Sequence, residues 1–346
     1  SVYVYSGNPA DNYVELRAFR GEAAGDNLGF AVANAGDTDN DGNADVIYGV
    51  PKADPNGLAS AGIAVVRSGA TGDELFRING TVKGDLLGRA VGGAGDVDDD
   101  GNDDVIVGMP KDDVLGLTAK MLKDAGSAAV YSGAAHSELF RISGEGAGDL
   151  LGASVSTAGD LDGDGKADVV AGAPRHDPLN AATGKLLKDA GAVYAYRYDG
   201  KSVGQRVFKA PGQTAGDWLG YSVAAGGDLD SDSNADVLAG APRRDRTLPP
   251  VGKKKAKVLK DVGAVYGLDG TGAVLFSLIG NRPKDYYGLS LANGGDIDLD
   301  GYTDIITATP NADRAVLVRV GNKFKSKLVK DIGLIEVFSG KVATGN

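Results

Sequence analysis

Cysteine is absent from this chain of 346 residues, and histidine occurs only twice. The first absence excludes disulfides, zinc–thiolate sites and thiol nucleophiles. The two histidines, His136 and His176, stand in no recognisable nucleophile or metal motif, so we expect them to be surface loop residues. Because no catalytic constellation emerges from the remaining residues, the sequence predicts a protein that is not an enzyme.

Long apolar runs are missing too. No stretch approaches the roughly 20 apolar residues that cross a bilayer, so no membrane span is expected. Basic residues are outnumbered, with 36 Lys and Arg against 47 Asp and Glu and a formal net charge of -11. This charge makes nucleic acid a poor partner. The chain starts at Ser1, within a strand pattern and without Met, which indicates a processed or excised product.

Aspartate at fixed spacing is what the chain has in excess. Five nine-residue loops carry Asp at positions one, three, five and nine, and four of them carry Gly at position six. The aspartates are Asp37, Asp39, Asp41 and Asp45; Asp96, Asp98, Asp100 and Asp104; Asp160, Asp162, Asp164 and Asp168; Asp228, Asp230, Asp232 and Asp236; and Asp296, Asp298, Asp300 and Asp304. This spacing places side-chain oxygens around one point, and the glycine permits the tight turn. Hard oxygen ligands favour calcium or magnesium, and a flexible loop favours calcium.

Two other interpretations of these loops are weaker. Asp is also a turn former, so each loop alone is compatible with an acidic solvated turn, but five copies in the same strand-flanked setting argue against that. An EF-hand needs a bidentate Glu at position twelve, where this chain has Tyr48, Val107, Ala171, Ala239 and Thr307. About five bound calcium ions would bring the formal charge of -11 close to neutral, so the acidity reflects the metal sites. Affinities of roughly 10⁻⁴ to 10⁻³ M suit extracellular calcium, which predicts a secreted or cell-surface location.

The loops also define a repeat. Their first aspartates lie 59, 64, 68 and 68 residues apart, which gives five units at roughly 26–79, 85–143, 149–209, 217–280 and 285–340. Each unit has four short runs of β-branched and aromatic residues bounded by turn formers. In the third unit these are Ser154–Thr157, Val169–Ala171, Val193–Tyr196 and a run around Val207. The pattern predicts an all-β fold, a single β-propeller domain (1–346) of five four-stranded antiparallel blades.

The chain resembles, over nearly its whole length, the FG-GAP repeat family, the repeats of the integrin α-subunit head. The likeness rests on Leu151-Gly152, on Gly159-Asp160 through Asp168, and on Gly172-Ala173-Pro174. It implies a calcium-stabilised propeller with metal loops between the first and second strands of each blade. It also implies one further ligand per loop, the backbone carbonyl of the residue at position seven: Asn43, Asn102, Lys166, Asn234 and Tyr302. Integrin heads have seven blades, whereas this chain has five metal loops.

Closure of the ring is less regular than the blades. The fifth unit supplies three strands, the last at Leu334–Phe338, and Glu15–Phe19 is predicted to be its fourth. Val2–Tyr5 then duplicates a third strand. Residues 2–19 are expected to help close the ring, to form an extra edge, or to pair with a neighbouring molecule in a homo-oligomer.

The connection between the second and third strands lengthens along the chain, from 54–62 in the first unit to 245–263 and 313–333 in the last two. Lysine clusters lie within it at 253–257 and 323–327. By analogy with integrin heads, these inserts lie opposite the metal loops, where partners bind. They are either solvated hairpins or a basic docking surface for an acidic protein, a glycan or a second copy. The lone Trp218 is either a sugar-stacking platform or, as we prefer, a packing residue between blades.

These observations predict a non-enzymatic, extracellular, calcium-binding β-propeller that serves adhesion, protein interaction or self-assembly. A carbohydrate-binding lectin is the first alternative, because propellers can hold sugars between blades. A propeller-based lyase or hydrolase is the second, and it would need a catalytic constellation that the sequence does not show.

Overall fold

The computed structural model describes the chain apart from residues 8, 9, 11, 13, 202, 251, 253, 254, 298, 300–302, 313, 321, 322, 330–332 and 339–346. The described residues form strands, turns and bends with a 3₁₀ turn at Pro55–Gly57, and they contain no α-helix. They fall into two compact units, residues 1–173 with 194–207 and residues 174–193 with 208–346. Within these described segments, no helix has the length and apolar composition needed to cross a bilayer.

The chain begins with a two-stranded sheet and two complete blades. The N-terminal pair is β1 (Val2–Tyr5) and β2 (Glu15–Phe19). The first blade contains β3 (Val32–Gly36), β4 (Asp45–Val50), β5 (Ile63–Arg67) and β6 (Glu74–Asn79). The second contains β7 (Ala90–Gly95), β8 (Asp104–Met109), β11 (Ser127–Tyr131) and β12 (Glu138–Ser143), with the small hairpin β9 (Val114–Leu115) and β10 (Met121–Leu122) between its middle strands. Strands that follow one another in each blade pair antiparallel.

The remaining sheets repeat this order. The third blade contains β13 (Ser154–Gly159), β14 (Asp168–Ala173), β15 (Ala192–Arg197) and β16 (Gln205–Pro211). The fourth contains β17 (Ser222–Gly227), β18 (Asp236–Ala241), β21 (Ala264–Leu268) and β22 (Val274–Ile279), with the hairpin β19 (Arg246–Leu248) and β20 (Lys257–Leu259). The fifth contains β23 (Ser290–Gly295), β24 (Asp304–Thr309) and β27 (Leu334–Phe338), with the hairpin β25 (Arg314–Val320) and β26 (Lys323–Val329). The sheets confirm the predicted all-β fold, a β-propeller with five blades.

The N-terminal strands pair with each other, with Val2 opposite Phe19. Both side chains are buried against the first blade, where Phe19 stacks on Tyr48 with ring centroids 5.8 Å apart. In the part of the chain that the structure describes, the fifth sheet has three strands. Completion of that sheet by Glu15–Phe19, and pairing of residues 2–19 with a neighbouring molecule, stay predictions.

After the aspartate at its first position, the second strand of a blade is apolar, because it lies inside the sheet and is covered on both faces. Every residue of β8, β14 and β18 is buried. In the first unit, one core cluster joins Ile47 and Val66 of the first blade to Val91, Val105 and Val107 of the second. Each such side chain contributes roughly 2 kcal/mol on burial, so packing between these two blades stabilises the unit.

Glycine pairs allow the backbones of adjacent blades to touch. A Cβ built at Gly49 would lie 1.8 Å from the carbonyl oxygen of Gly88, and one at Gly108 would lie 2.0 Å from that of Gly152. Gly108 opens a Gly-Met-Pro segment, and Gly152 closes a Leu-Gly pair. The two halves of the repeat motif therefore meet across the boundary between blades, where no side chain fits.

Candidate metal centres

Each aspartate loop connects the first and second strands of its blade, as predicted. A β-bulge precedes the loop in every blade, and the glycine of this bulge has a positive φ, for example 82° at Gly36 and 75° at Gly95. The bulge ends the strand pairing and turns the chain into the loop.

The first aspartate organises the loop backbone. In the third loop, the Asp160 carboxylate accepts hydrogen bonds from the N–H groups of Gly163, Asp164 and Gly165 at 2.8, 3.1 and 2.8 Å. Equivalent bonds to the first aspartate occur in the first, second and fourth loops. The chain is therefore wrapped around this carboxylate by its own amide groups, which presents the other acidic side chains to a common centre.

Three carboxylates converge in each of four loops, with ligand oxygens within 4.8 Å of one another. The groups are Asp37, Asp39 and Asp45; Asp96, Asp98 and Asp104; Asp160, Asp162 and Asp168; and Asp228, Asp230 and Asp232. Charges of one sign this close repel by about 1 kcal/mol per pair even at the dielectric constant of water. A divalent cation at the centre converts that repulsion into attraction.

The aspartates at position nine are buried. Asp104 and Asp168 have no exposed surface, and one oxygen of each accepts the N–H of the residue at position two, Val97 or Leu161, at 2.9 Å. Burial raises the pKa of the Asp104, Asp168 and Asp236 carboxyls to about 7, because the charged form loses its hydration. A positive charge beside these carboxylates would favour their ionised form.

The surroundings of the second carboxylate oxygen of each position-nine aspartate indicate whether a cation fits there. In the first two loops it accepts the N–H of Gly69 or Gly133 at 3.0 Å. In Asp168, Asp236 and Asp304 it is buried without a hydrogen-bond partner. An unpartnered buried carboxylate oxygen is costly, and a hard cation would satisfy it. The donor set of carboxylate oxygens therefore fits calcium.

Some predicted ligands lie outside these convergent groups. In the first three loops the ligand outside the group is the position-five aspartate, and Asp41, Asp100 and Asp164 each accept the N–H of the residue at position seven. In the fourth loop the ligand outside the group is the position-nine aspartate, Asp236. The carbonyls of Asn43, Asn102, Lys166 and Asn234 stay predicted ligands. In the fifth loop Asp296 and Asp304 are described, whereas Asp298, Asp300 and Tyr302 lie outside the described residues.

Position six requires a left-handed backbone. Gly42, Gly101 and Gly165 have φ of 86°, 93° and 87°, and Ser233 takes the same conformation with φ 75°. A side-chain-bearing residue pays roughly 1–2 kcal/mol in this region. The fourth loop is strained at Ser233, as its sequence predicts.

Neighbouring loops in the first unit are hydrogen-bonded to each other. The N–H of Asp37 donates to the Asp103 carboxylate at 2.8 Å, and the N–H of Asp103 donates to the Asp37 carbonyl at 3.0 Å. Between the second and third loops, the N–H of Ala167 donates to the carbonyl of Asp96 at 3.3 Å. Sequence reasoning missed these contacts because position eight carries no metal-ligand signal. Order in one loop thus favours order in the next.

Trp218 has protein groups on its ring. The guanidinium carbons of Arg243 and Arg175 lie 4.6 and 5.5 Å from a ring centroid of Trp218, and Tyr221 stacks on it with centroids 5.9 Å apart. These contacts favour a packing role for the indole over sugar stacking.

The two histidines differ. His136 is exposed, as expected, and stacks on Phe76 with ring centroids 4.5 Å apart. The expectation of a surface residue was wrong for His176, which is 8% exposed. Its carbonyl accepts the N–H of Gly191 at 2.9 Å, which holds this part of the connection close to the start of β15.

The long inserts form hairpins, β9–β10, β19–β20 and β25–β26. Because the metal loop leads into the second strand and the insert leads out of it, the two lie at opposite ends of that strand. Lys255 and Lys257 are exposed on the β19–β20 hairpin, and Lys260 forms an ion pair with Asp245 at 2.5 Å.

Comparison with known proteins identifies the repeat. The family model described as FG-GAP repeat matches residues 151–196, 219–274 and 287–324. Integrin alpha-5 of Xenopus laevis is 27% identical over 227 residues, which cover 65% of this chain and 20% of that protein. Integrin alpha-V of Gallus gallus is 28% identical over 235 residues, which cover 67% of this chain and 21% of that protein. The chain thus spans about a fifth of the length of these relatives.

Among solved structures, a rhamnogalacturonan lyase of Bacillus licheniformis superposes with a TM-score of 0.41 at 14% identity, covering 88% of this chain and 56% of the lyase. A superposition this loose says nothing about activity. The sequence matches, together with the blades and loops described above, show that the chain carries FG-GAP repeats at residues 151–196, 219–274 and 287–324 and is similar to integrin α subunits.

Proposed function

We propose that this chain is a calcium-binding β-propeller that acts outside the cell as a non-enzymatic adhesion or protein-interaction module. The observation that carries the proposal is the convergence of three carboxylates at the same point of four blades. Buried carboxylate oxygens without a partner in three loops support it. The relation to integrin α subunits supports the adhesion role.

In this proposal the ions serve the scaffold. Calcium supplies positive charge to loops whose carboxylates otherwise repel, and it fixes the turn between the first and second strands of a blade. The aspartates at positions one, three and nine hold it in the first three loops, and those at one, three and five hold it in the fourth. A rigid set of blades then displays the inserts at the other end of the second strand to a partner.

Calcium titration tests the metal sites. Protein treated with a chelator and titrated with calcium chloride in a calorimeter is expected to bind about five ions. Asp98→Asn combined with Asp162→Asn should remove two of them, whereas Asp73→Asn, on an exposed turn, should remove none. Ser233→Gly should tighten one site by about fivefold, because it relieves roughly 1 kcal/mol of strain. Absence of binding heat, or full stoichiometry in the double variant, would refute the sites.

The partner surface that we propose is the basic β19–β20 hairpin, and the partner is an acidic protein. Immobilised polyglutamate should capture the wild-type chain at low salt, and Lys255→Glu with Lys257→Glu should weaken capture by about tenfold or more. Lys83→Glu with Lys201→Glu makes the same change in net charge elsewhere and should have a smaller effect. Equal weakening by the two pairs would show that only net charge matters, and tighter capture on heparin would indicate a sulfated glycan instead.

A further inference from the structure

The turn that follows the third strand differs in the third blade. In the first two blades, Ser68 and Ser132 stand six residues after the glycine that precedes the third strand. The next residue is a glycine, and its N–H donates to the position-nine aspartate of the same blade. The third blade has Arg197 there, followed by Tyr198. This turn offers Asp168 no such glycine, and the second oxygen of Asp168 has no partner, as is also true of Asp236 and Asp304.

Arg197 reaches the metal loop instead. Its Nη1 donates to the Asp162 carboxylate at 2.7 Å and to the Asp164 carboxylate at 3.4 Å. The other edge of the guanidinium donates twice to the Oε1 of Gln205, from Nε at 3.2 Å and from Nη2 at 3.0 Å. Gln205 therefore orients the guanidinium without neutralising it, so the whole positive charge is available to the two loop carboxylates.

Resting on the calcium sites of the proposed function, we infer that Arg197 is a built-in cation that competes with calcium for the third loop. The guanidinium bonds to Asp162, one of the three carboxylates proposed to hold calcium in this loop, and to the neighbouring Asp164, and it must leave Asp162 when the ion binds. The third loop is consequently ordered without calcium and binds calcium more weakly than it would without Arg197. In the second loop, Ser132 occupies the position equivalent to Arg197. The cation nearest this loop among the described residues, Lys166, contacts the Asp99 carboxylate at 4.0 Å and the Asp98 carbonyl at 3.4 Å, and it forms no hydrogen bond with the carboxylates proposed to hold calcium there.

Loss of the guanidinium should therefore tighten calcium binding at the third loop alone. Partly exposed ion pairs of this kind correspond to about two- to fivefold in affinity. Arg197→Gln removes the charge. Gln205→Glu keeps Arg197 but gives it a charged partner on the other edge, so it should shift affinity in the same direction by a smaller factor.

Site-resolved nuclear magnetic resonance separates the loops. The amide of Gly165 reports on the third loop and that of Gly101 on the second, because each donates to the first aspartate of its loop, at 2.8 and 3.0 Å. In a calcium titration, Arg197→Gln should lower the midpoint of the Gly165 signal by about two- to fivefold and leave the Gly101 midpoint unchanged. In the chelated protein, the same variant should accelerate hydrogen exchange at Gly165.

Three outcomes would overturn the inference. The first is an unchanged Gly165 midpoint in Arg197→Gln while both loops still bind calcium, and the second is an equal shift at Gly165 and Gly101. The third is a Gln205→Glu variant that binds calcium more weakly than wild type. If neither amide responds to calcium in the wild-type protein, the proposed metal sites fail and the inference falls with them.

Discussion

Removal of calcium is expected to lower the melting temperature of this protein by on the order of 10 °C. At about 10 mM calcium, a site with a dissociation constant of roughly 10⁻⁴ M stabilises the folded state by about 2.7 kcal/mol. Four loops with convergent carboxylates therefore contribute roughly 10 kcal/mol in total. The measurement is thermal unfolding followed by circular dichroism, with EGTA or with calcium in excess.

The structure indicates how removal of calcium would destabilise the folded protein. Without a cation, burial raises the pKa of the Asp104, Asp168 and Asp236 carboxyls, and the carboxylates around them repel. Hydrogen bonds between successive loops in the first unit should make the loss cooperative. Calcium added back after EGTA should restore the original transition. Coincident transitions in EGTA and in calcium would contradict a stabilising role for the ions.

Local pattern in the sequence was enough to predict the blades and the loops. β-branched runs bounded by turn formers placed Ile63–Arg67, Val274–Ile279 and Leu334–Phe338 at the observed bounds. The spacing of four aspartates likewise indicated loops between first and second strands. The strand pattern and the aspartate spacing recur in five successive units, which makes a chance occurrence of either pattern implausible.

Contacts between distant segments left no such signal. Asp103 and Ala167 occupy position eight of their loops, and nothing in their identity shows that they bond to the loop of the preceding blade. Arg197 also gave no signal, because its effect depends on a third strand that ends one residue later than β5 or β11 and on a neutral Gln205 across the turn. Burial of His176 has the same origin, since the chain around it folds onto the start of β15.

Gly108→Ala is expected to destabilise the protein by about 3 kcal/mol or more. The new Cβ would lie 2.0 Å from the carbonyl oxygen of Gly152 and 3.0 Å from its carbonyl carbon. Both are backbone atoms of the adjoining blade, so no side-chain rotation relieves the clash and the two sheets must separate. Gly108 does not have a positive φ, so the expected loss comes from packing alone. The midpoint of urea unfolding in calcium measures it.

Gly21→Ala is the matched control, because a Cβ there meets Leu28 Cβ at an ordinary distance of 3.6 Å. Its effect should stay within about 0.5 kcal/mol of wild type, since a compatible glycine site tolerates alanine. Equal unfolding midpoints for the two variants would show that the blades can shift apart at little cost. A loss confined to Gly108→Ala would instead explain why glycine stands in both halves of the repeat motif: each half leaves space for the backbone of the other across the blade boundary.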